Sequence, residues 1–431
     1  MKIGSLKSRL SALLTLTEIL SRKSNLNSAF EKIMQRYDLV GRDRSFALNL
    51  VATTLRNLGV IDYMLNKALH RPLAKKNLKT RNILRLGICQ LLILKTPPHA
   101  AISTSVDLVK YISDQGTKDL VNAILRTLDK KGRPEMLGLE FEKLNIPSWL
   151  WESWAREFGD SVCLKIANAS LREAPLNITV KSNLKSWASR LEGQITKTGS
   201  LSVRNMGPIN CLPGYKEGCW WVQDAAASLP IRLLGNIRKL NIADICAAPG
   251  GKTAQLAASG AIVTAVDKSK KRLGRLSDNL SRLGLSATII VTDIMHWEPK
   301  IPFDAILIDP PCSGTGTLRR RPDILRTRQK EDIKVLKKFQ YEFLNHVSKF
   351  VKTGGKLVYC VCSIQPEEGP LHVKNFLLNN PNYEQEPIQP AELFGLTEII
   401  TNEGSLLTLP FYLAEHGGMD GFFAVRFTRK Y

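Results

Sequence analysis

Leucine, isoleucine and alanine recur at helical spacing through the first third of the chain, without the alternation that is typical of strands. Breaks between helices are expected at Pro97-Pro98 and at Gly116, and the charged stretch from Lys130 to Pro134 is expected to end the domain. Residues 1–134 are therefore predicted to form an all-helical domain. The pattern predicts four of its helices over Ser8 to Leu20, Arg44 to Leu58, Thr80 to Leu94 and Leu120 to Leu128.

Residues 135–234 mix helical and strand-like patterns, which predicts a small α+β module. Trp149, Trp151 and Trp154 lie on one short predicted helix, and the runs Leu176 to Val180 and Trp220 to Val222 are strand-like. The tryptophans could stack on nucleic-acid bases. Three of them on one short helix are more often packed against a neighbouring domain, and we favour packing.

Strands and helices alternate beyond Lys239, which predicts a mostly parallel, doubly wound sheet. Residues 235–431 are thus expected to form a Rossmann-like α/β domain, with ligands bound outside the carboxyl ends of its strands. A last strand over Gly421 to Thr428 is expected to be antiparallel, at the edge of the sheet. The other strands are predicted over Ile242 to Cys246, Ile262 to Val266, Thr288 to Val291, Ala305 to Asp309 and Lys356 to Cys362.

The charge of the chain indicates the class of partner. Its 61 Lys and Arg residues outnumber its 39 Asp and Glu residues, which gives a formal net charge of +22. Such an excess favours a polyanion, because cationic side chains release the counterions of nucleic acid when they bind it. No apolar run reaches the roughly 18 residues that a transmembrane helix needs, and no lipidation signal is visible. Nucleic acid is therefore the expected partner, and a membrane is not.

The cysteines indicate the compartment. Eight of them are spread along the chain without the spacing of a disulfide framework, which favours a reducing environment. The start of the chain alternates apolar and polar residues and does not form a signal-peptide core, so a cytoplasmic protein is expected. No C-x-x-C pair is present and the six histidines are scattered, so no metal site is expected.

A glycine-rich turn, Asp244-Ile-Cys-Ala-Ala-Pro-Gly250-Gly251-Lys252, follows the first strand of the predicted sheet. Glycine lets the backbone pass close to a ligand, and Asp267 at the end of the next strand could accept hydrogen bonds from ribose hydroxyls. Together they predict an adenosine site. A phosphate-binding P-loop is discounted because Cys246 occupies the place of its first glycine, and G-x-G-x-x-G is absent. Asp293 could bind the adenine amino group or simply cap a helix.

Two cysteines at predicted strand ends carry the candidate chemistry. Cys312 follows Asp309-Pro-Pro, and Cys362 ends the last parallel strand. A thiolate is a nucleophile strong enough to add to carbon 6 of a pyrimidine, while Asp309 holds or protonates ring nitrogen 3. Enzymes that methylate exocyclic base nitrogens commonly carry an aromatic residue where this chain has Cys312, so methylation of ring carbon 5 is predicted. Either cysteine could attack, and Cys360 is a third candidate. For Cys360, and for Cys246 in the glycine-rich turn, a packing role is favoured.

These motifs resemble the Sun (Fmu) type of bacterial ribosomal RNA cytosine-5 methyltransferases, over nearly the whole chain. The stretches Pro97-Pro-His-Ala-Ala101 and Val121-Asn-Ala-Ile-Leu-Arg126 resemble the NusB-like RNA-binding domain that is fused to these enzymes. The resemblance implies an enzyme that uses S-adenosylmethionine on 16S ribosomal RNA, and we expect a monomer. It implies Cys362 as nucleophile and Cys312 as an aid to product release, although the usual Thr before the nucleophile is Val361 and the usual Asp-Ala-Pro-Cys is Asp-Pro-Pro-Cys. The implied cofactor residues are Cys246, Ala247, Ala248, Pro249, Gly250, Gly251, Lys252, Asp267, Asp293 and Asp309.

An arginine-rich segment directly after Cys312 is expected to steer RNA phosphates, with a solvated loop as the alternative. The module over residues 135–234 would bind RNA or link the other two domains. Methylation of transfer RNA or DNA by the same chemistry is a second hypothesis. A third is a non-catalytic RNA-binding protein with a vestigial methyltransferase fold, against which the intact cysteines and acids argue. The candidate phosphate contacts are Arg319, Arg320, Arg321 and Arg326.

Overall fold

A computed structural model describes residues 3–111, 115–204 and 207–431 of the chain. They form two compact units, the first of residues 1–172 with 318–329 and the second of residues 173–317 with 330–431. The first unit is helical and the second contains both sheets. The boundary predicted after Pro134 falls inside a helix, Lys118–Met136, and the division into three domains stays a prediction.

Among the described residues of the first unit, eight helices between Ile3 and Asn145 pack around one apolar core that includes Leu13, Leu50, Leu84 and Leu125. The helical pattern of the sequence is confirmed, with two differences. The helix predicted over Arg44 to Leu58 is two helices that meet at Asn57, and the third predicted helix ends in a π-helical turn, Cys89–Ile93. The helices from Ile3 to Ser170 are α1 Ile3–Arg22, α2 Leu26–Tyr37, α3 Gly41–Arg56, α4 Leu58–Ala68, α5 Leu78–Ile88, α6 Pro98–Leu108, α7 Lys118–Met136, α8 Phe141–Asn145, α9 Ser148–Phe158 and α10 Asp160–Ser170.

The tryptophan-rich helix is α9. Trp154 is fully buried, in agreement with the packing favoured from the sequence, and Trp149 and Trp151 are partly buried. Burial of the large indole surface is thus part of what holds this helix in place.

A small antiparallel sheet begins the second unit, with the strand order β2-β3-β1-β4. Both predicted strands are present over the predicted residues. Ile178, Leu201, Val203 and Trp220 fill the core beneath it. Its elements are β1 Leu176–Val180, α11 Leu184–Arg190, β2 Gln194–Ile195, β3 Leu201–Val203 and β4 Trp220–Val222.

The main sheet has the order β10-β12-β9-β8-β5-β6-β7, in which the five strands from β9 to β7 are parallel. The predicted α/β architecture is therefore confirmed. Its strands are β5 Asn241–Ile245, β6 Ile262–Asp267, β7 Thr288–Val291, β8 Phe303–Ile308, β9 Val351–Val361, β10 Tyr383–Gln385, β11 Leu406–Thr408 and β12 Phe422–Arg429.

The last strand, β12, is antiparallel as predicted but does not lie at the edge. It pairs with β9 along most of its length. In addition, β11 pairs with its first residues, Phe422 to Ala424, and β10 pairs with its last residues, Phe427 to Arg429. Strands of three residues such as β10 carry too little alternation to be recognised in the sequence, which is why the edge was placed one strand too early.

Helices cover both faces of the main sheet because successive strand residues face opposite sides. Ile242, Leu307 and Val358 belong to one apolar cluster, whereas their neighbours Ala243 and Ile306 belong to another. These helices are α12 Gly251–Ala258, α13 Lys270–Leu283, α15 Lys330–Ser348 and α16 Pro370–Asn379. The short helix α14, Ile324–Thr327, belongs to the helical unit.

Candidate active site

The turn after β5 has a backbone conformation that requires glycine at position 250. Gly250 has a φ of +104°, and a Cβ there would lie 2.7 Å from the Leu276 Cγ of α13. Gly251 differs, since a Cβ there would have no neighbour nearer than 3.8 Å, in the side chain of Gln223. Gly250 therefore shapes the turn, while the backbone at Gly251 is open to a ligand.

Asp267, at the end of β6, fastens the turn. Its carboxylate accepts hydrogen bonds from Ala248 N at 3.3 Å and Ser269 N at 2.9 Å, and Arg272 Nη1 lies 3.4 Å from it. Arg272 also donates to the Ala248 carbonyl oxygen. The acid that was predicted to contact ribose thus also joins the glycine turn to the start of α13.

Asp293 follows β7 and is exposed. Its Oδ1 accepts a hydrogen bond from Met295 N at 3.1 Å, at the start of a short 3₁₀ turn. The structure therefore gives this side chain the capping role that the sequence left open. A contact between Asp293 and a cofactor stays a prediction.

Lys252 and Asp309 form an ion pair, with Lys252 Nζ 2.6 Å from Asp309 Oδ2 and 5.1 Å from the centre of the Phe422 ring. Burial is the largest single effect and lowers the pKa of the Lys252 ammonium, but the neighbouring acidic groups, with Asp309 first among them, together raise this pKa above its usual value. Lys252 is therefore a fixed cation at the carboxyl edge of the sheet.

Asp244 lies beneath this pair, and its Oδ2 accepts the Thr253 hydroxyl at 2.6 Å. Its Oδ1 is buried and has no hydrogen-bond partner among the residues that the structure describes, and burial raises the pKa of Asp244 to about 7. A carboxyl group without a second partner is costly to ionise, so Asp244 is a source of pH dependence.

The two candidate cysteines meet. Cys312 Sγ lies 3.4 Å from Cys362 Sγ, and both side chains are partly buried. The hydrogen bond with Cys362, followed by burial, raises the pKa of Cys312 well above its usual value. Cys312 therefore keeps its proton at neutral pH and can donate it to the sulfur of Cys362.

Cys246 and Cys360 are not part of this pair of thiols. Cys360 is fully buried in the core of the sheet, and burial is the main cause that raises the pKa of both thiols. A buried thiol of high pKa is a poor nucleophile, which supports the packing role favoured for them.

Sequence reasoning missed Glu368, which is fully buried behind the cysteines. Its carboxylate accepts hydrogen bonds from both residues that follow the cysteines, Ser313 and Ser363. Glutamate is seldom fully buried, so the sequence Glu367-Glu368 resembles an exposed turn. One signal in the sequence could have indicated a buried acceptor such as Glu368. A serine follows each cysteine, and a buried serine hydroxyl needs a hydrogen-bond partner.

Two arginines of the expected phosphate-binding segment are enclosed by the helical unit. Arg319 is only 1% exposed, and its carbonyl oxygen accepts a hydrogen bond from Arg56 Nη2 at 2.8 Å. Arg326 Nη2 donates to the Asn145 carbonyl oxygen at 2.8 Å, and burial lowers the pKa of Arg326 to about 10. Arg319, before α14, is thus buried and Arg326, on α14, is partly buried. Contact of either side chain with RNA phosphates stays a prediction. Arg320 and Arg321 are partly exposed, and their contact with RNA stays a prediction.

The described residues contain neither a candidate metal site nor a candidate membrane-spanning helix. No group of three or more His, Cys, Asp and Glu side chains is arranged to hold a metal ion. Across the same part of the chain, no helix combines the length and apolar character needed to cross a bilayer.

Comparison with known proteins extends these findings. Residues 233–428 match the family model described as 16S rRNA methyltransferase RsmB/F, and residues 6–130 match the NusB family. The ribosomal RNA small subunit methyltransferase B of Shigella flexneri is 32% identical over 386 residues, which cover 85% of this chain and 89% of that protein.

Solved structures share the fold. A crystal structure of PH0851 matches with a TM-score of 0.80 and 21% identity, over 100% of this chain and 99% of that one. A methyltransferase homologue from Pyrococcus horikoshii matches with a TM-score of 0.54 and 26% identity, over 71% of this chain and 99% of that one.

The fold and the strand-end site thus define a methyltransferase that carries a NusB-like helical domain. With 32% identity across most of its length, the chain belongs to the RsmB/F family, as a Sun-type member.

Proposed function

We propose that this protein transfers a methyl group to carbon 5 of one cytosine in 16S ribosomal RNA, through a covalent bond between Cys362 and carbon 6 of the base. The observation that carries the proposal is the pair of thiols at the carboxyl edge of the sheet, 3.4 Å apart. An N-methyltransferase needs neither thiol, because an exocyclic nitrogen is already nucleophilic.

The glycine turn and the acids around it fit S-adenosylmethionine. The open backbone at Gly251 would admit the ligand, Asp267 would accept bonds from the ribose, and Asp293 would face the adenine. The other residues that would contact the cofactor are Lys252, Asp309, Gly250 and the stretch from Cys246 to Pro249. When bound, S-adenosylmethionine supplies the electrophilic sulfonium methyl group that carbon 5 accepts.

The sulfur pair supports a division of roles. Cys312, whose pKa is raised by its hydrogen bond with Cys362 and by burial, stays a thiol and donates to Cys362. A donated hydrogen bond stabilises a thiolate, so Cys362 is the sulfur that attacks carbon 6. Cys312 then assists the end of the reaction. The carbon 5 proton passes to water, its electron pair restores the double bond between carbons 5 and 6, and Cys362 leaves carbon 6 as a thiolate to which the Cys312 thiol donates a hydrogen bond.

Asp309 supports the addition step. Attack at carbon 6 places electron density on ring nitrogen 3, and a carboxyl group that holds or protonates this nitrogen stabilises it. The ion pair with Lys252 at 2.6 Å fixes the Asp309 side chain in the site. The base must leave its stack to enter such a pocket, which favours an unpaired or flipped cytosine.

Ribosomal RNA as the substrate is supported by the family, by the NusB-like domain and by the net charge of +22. All eight cysteines are free thiols, as expected in the cytoplasm, where we place the protein.

The experiment is methylation in vitro with labelled S-adenosylmethionine. The substrates are 16S RNA from cells that lack the endogenous modification, as free RNA and in small subunits, with transfer RNA in parallel. The proposal predicts label in 5-methylcytidine of the 16S RNA, and bisulfite sequencing then locates the nucleotide. Label in transfer RNA alone, or in another nucleoside, would overturn it.

A further inference from the structure

Glu368 connects the loops that carry the two cysteines. Its Oε1 accepts hydrogen bonds from Ser313 N at 2.9 Å and from Gln340 Nε2 at 2.8 Å. Its Oε2 accepts the Ser363 hydroxyl at 2.6 Å and the Ser313 hydroxyl. One carboxylate therefore binds the residue that follows Cys312 and the residue that follows Cys362.

Further hydrogen bonds join the same two loops. Ser313 Oγ and Ser363 Oγ lie 3.0 Å apart, and Thr315 Oγ1 lies 3.2 Å from Ser363 Oγ. Gln340 also donates to the carbonyl oxygen of Pro311, the residue before Cys312, at 2.9 Å. The two loops are thus joined through side chains with Glu368 at the centre.

The backbone of Glu368 is fixed independently of its carboxylate. The Tyr359 hydroxyl donates to the Glu368 carbonyl oxygen at 2.9 Å, and the His372 ring stacks on the Tyr359 ring with centres 4.9 Å apart. A glutamate held at both ends has few alternative positions. Its carboxylate can therefore set where the serines, and the cysteines beside them, are placed.

A fully buried carboxylate is costly unless every lone pair direction is used. Here four donors converge on one carboxylate, and none of them belongs to the cofactor turn at Gly250. An apolar residue at this position would leave the donors on Ser313, Ser363 and Gln340 without their acceptor. The bonds to the neighbours of both reacting thiols point to a role in placing them.

We propose that Glu368 is a positioning residue. It holds Cys312 Sγ and Cys362 Sγ at the relative positions that addition to carbon 6 and release of the product require. The inference rests on the proposed function, since it assumes that the two thiols act on one base. Misplacement of a reacting group by about 1 Å can cost roughly 100-fold in rate, so loss of the carboxylate should slow the chemistry and leave cofactor binding intact.

The test compares Glu368→Ala, Glu368→Gln and the neighbouring control Glu367→Gln. The readouts are the single-turnover rate of adduct formation with 16S RNA, and the affinity for S-adenosylhomocysteine by calorimetry. We expect Glu368→Ala to lower the rate by about 100-fold, Glu368→Gln to restore most of it, and all three to bind the cofactor product like the wild type. The amide of the Gln variant can still accept from Ser313 N, while the serine hydroxyls turn to accept from its NH₂ group.

Two serine variants separate positioning from folding. Ser363→Ala loosens the Cys362 loop and should slow adduct formation, whereas Ser313→Ala loosens the Cys312 loop and should slow adduct release. These variants decide the question if Glu368→Ala fails to fold. If the serines had a merely structural role, both variants would have a changed melting temperature, and the ratio between the rates of adduct formation and adduct release would equal that of the wild type. That result would overturn the proposal.

The outcomes also distinguish this proposal from the proposed function. A wild-type enzyme that forms 5-methylcytidine, with Glu368→Ala equally fast, refutes the positioning role alone. A wild-type enzyme that forms no adduct and no 5-methylcytidine refutes the function on which the inference rests.

Discussion

Cys312 Sγ and Cys362 Sγ lie 3.4 Å apart although 50 residues separate them in the sequence. They meet because β8 and β9 are neighbouring parallel strands whose carboxyl ends reach the same edge of the sheet. Gly316 keeps the loop after Cys312 against the end of β9, since its N–H donates to the Cys362 carbonyl oxygen at 3.1 Å. A Cβ at Gly316 would lie 1.9 Å from the Gly421 carbonyl oxygen, so only glycine fits there.

Replacement of Gly250 by alanine should destabilise the α/β unit, because its φ of +104° and the Leu276 side chain leave no room for a Cβ. A loss of about 1–3 kcal/mol in the free energy of unfolding is expected. Gly251→Ala is the matched control, and with no close neighbour it should be neutral or slightly stabilising. Urea denaturation without cofactor measures both. Equal losses in the two variants would contradict the steric argument.

Asp244 should make the protein less stable as the pH rises. Its pKa is about 7 in the folded protein against 3.8 for an ordinary Asp, so the folded state binds the extra proton between these values. The free energy of unfolding therefore falls from about pH 4 to about pH 7, by about 4 kcal/mol at most.

Asp244→Asn removes this titration, and the variant should lose less stability than the wild type between about pH 5 and about pH 8. Urea denaturation of both proteins at the two pH values measures the difference. Parallel curves would show that Asp244 is ionised in the folded protein at both pH values.

Asp309→Asn should lower the rate of adduct formation by about 100-fold, because an amide can donate a hydrogen bond to ring nitrogen 3 but cannot transfer a proton to it. Asp304 provides a control on the same strand, since it pairs with Lys352 at the same 2.6 Å but lies at the other end of β8. Asp304→Asn should leave the rate unchanged. Single-turnover kinetics with excess enzyme compares them, and an undiminished rate in Asp309→Asn would remove Asp309 from the mechanism.

The parallel strands and the residues at their ends could be predicted because burial on both faces leaves continuous apolar runs followed by turns. Asp309 and both cysteines were placed in this way, and the structure brings them to one edge. The meeting of Cys312 with Cys362 required the order of β8 and β9, which a sequence pattern does not contain.

Other features depend on tertiary contacts alone. The arginine-rich segment after Cys312 was expected to steer RNA phosphates, with a solvated loop as the alternative. Residues 318–329 belong instead to the helical unit, where Arg319 is buried. Glu368 has the composition of an exposed turn and becomes buried only because two distant serines converge on it. Local patterns cannot distinguish a charge in solvent from one with partners far away in the chain.

The central claim is that Cys362 forms the covalent bond and Cys312 helps to break it. The most direct measurement incubates Cys312→Ala and Cys362→Ala with 16S RNA and S-adenosylmethionine, and follows protein–RNA adducts on denaturing gels with peptide mapping of the linked cysteine. The account predicts that Cys312→Ala accumulates a stable adduct at Cys362, while Cys362→Ala forms no adduct and no 5-methylcytidine. An adduct at Cys312 in the Cys362→Ala variant, with none in Cys312→Ala, would contradict it.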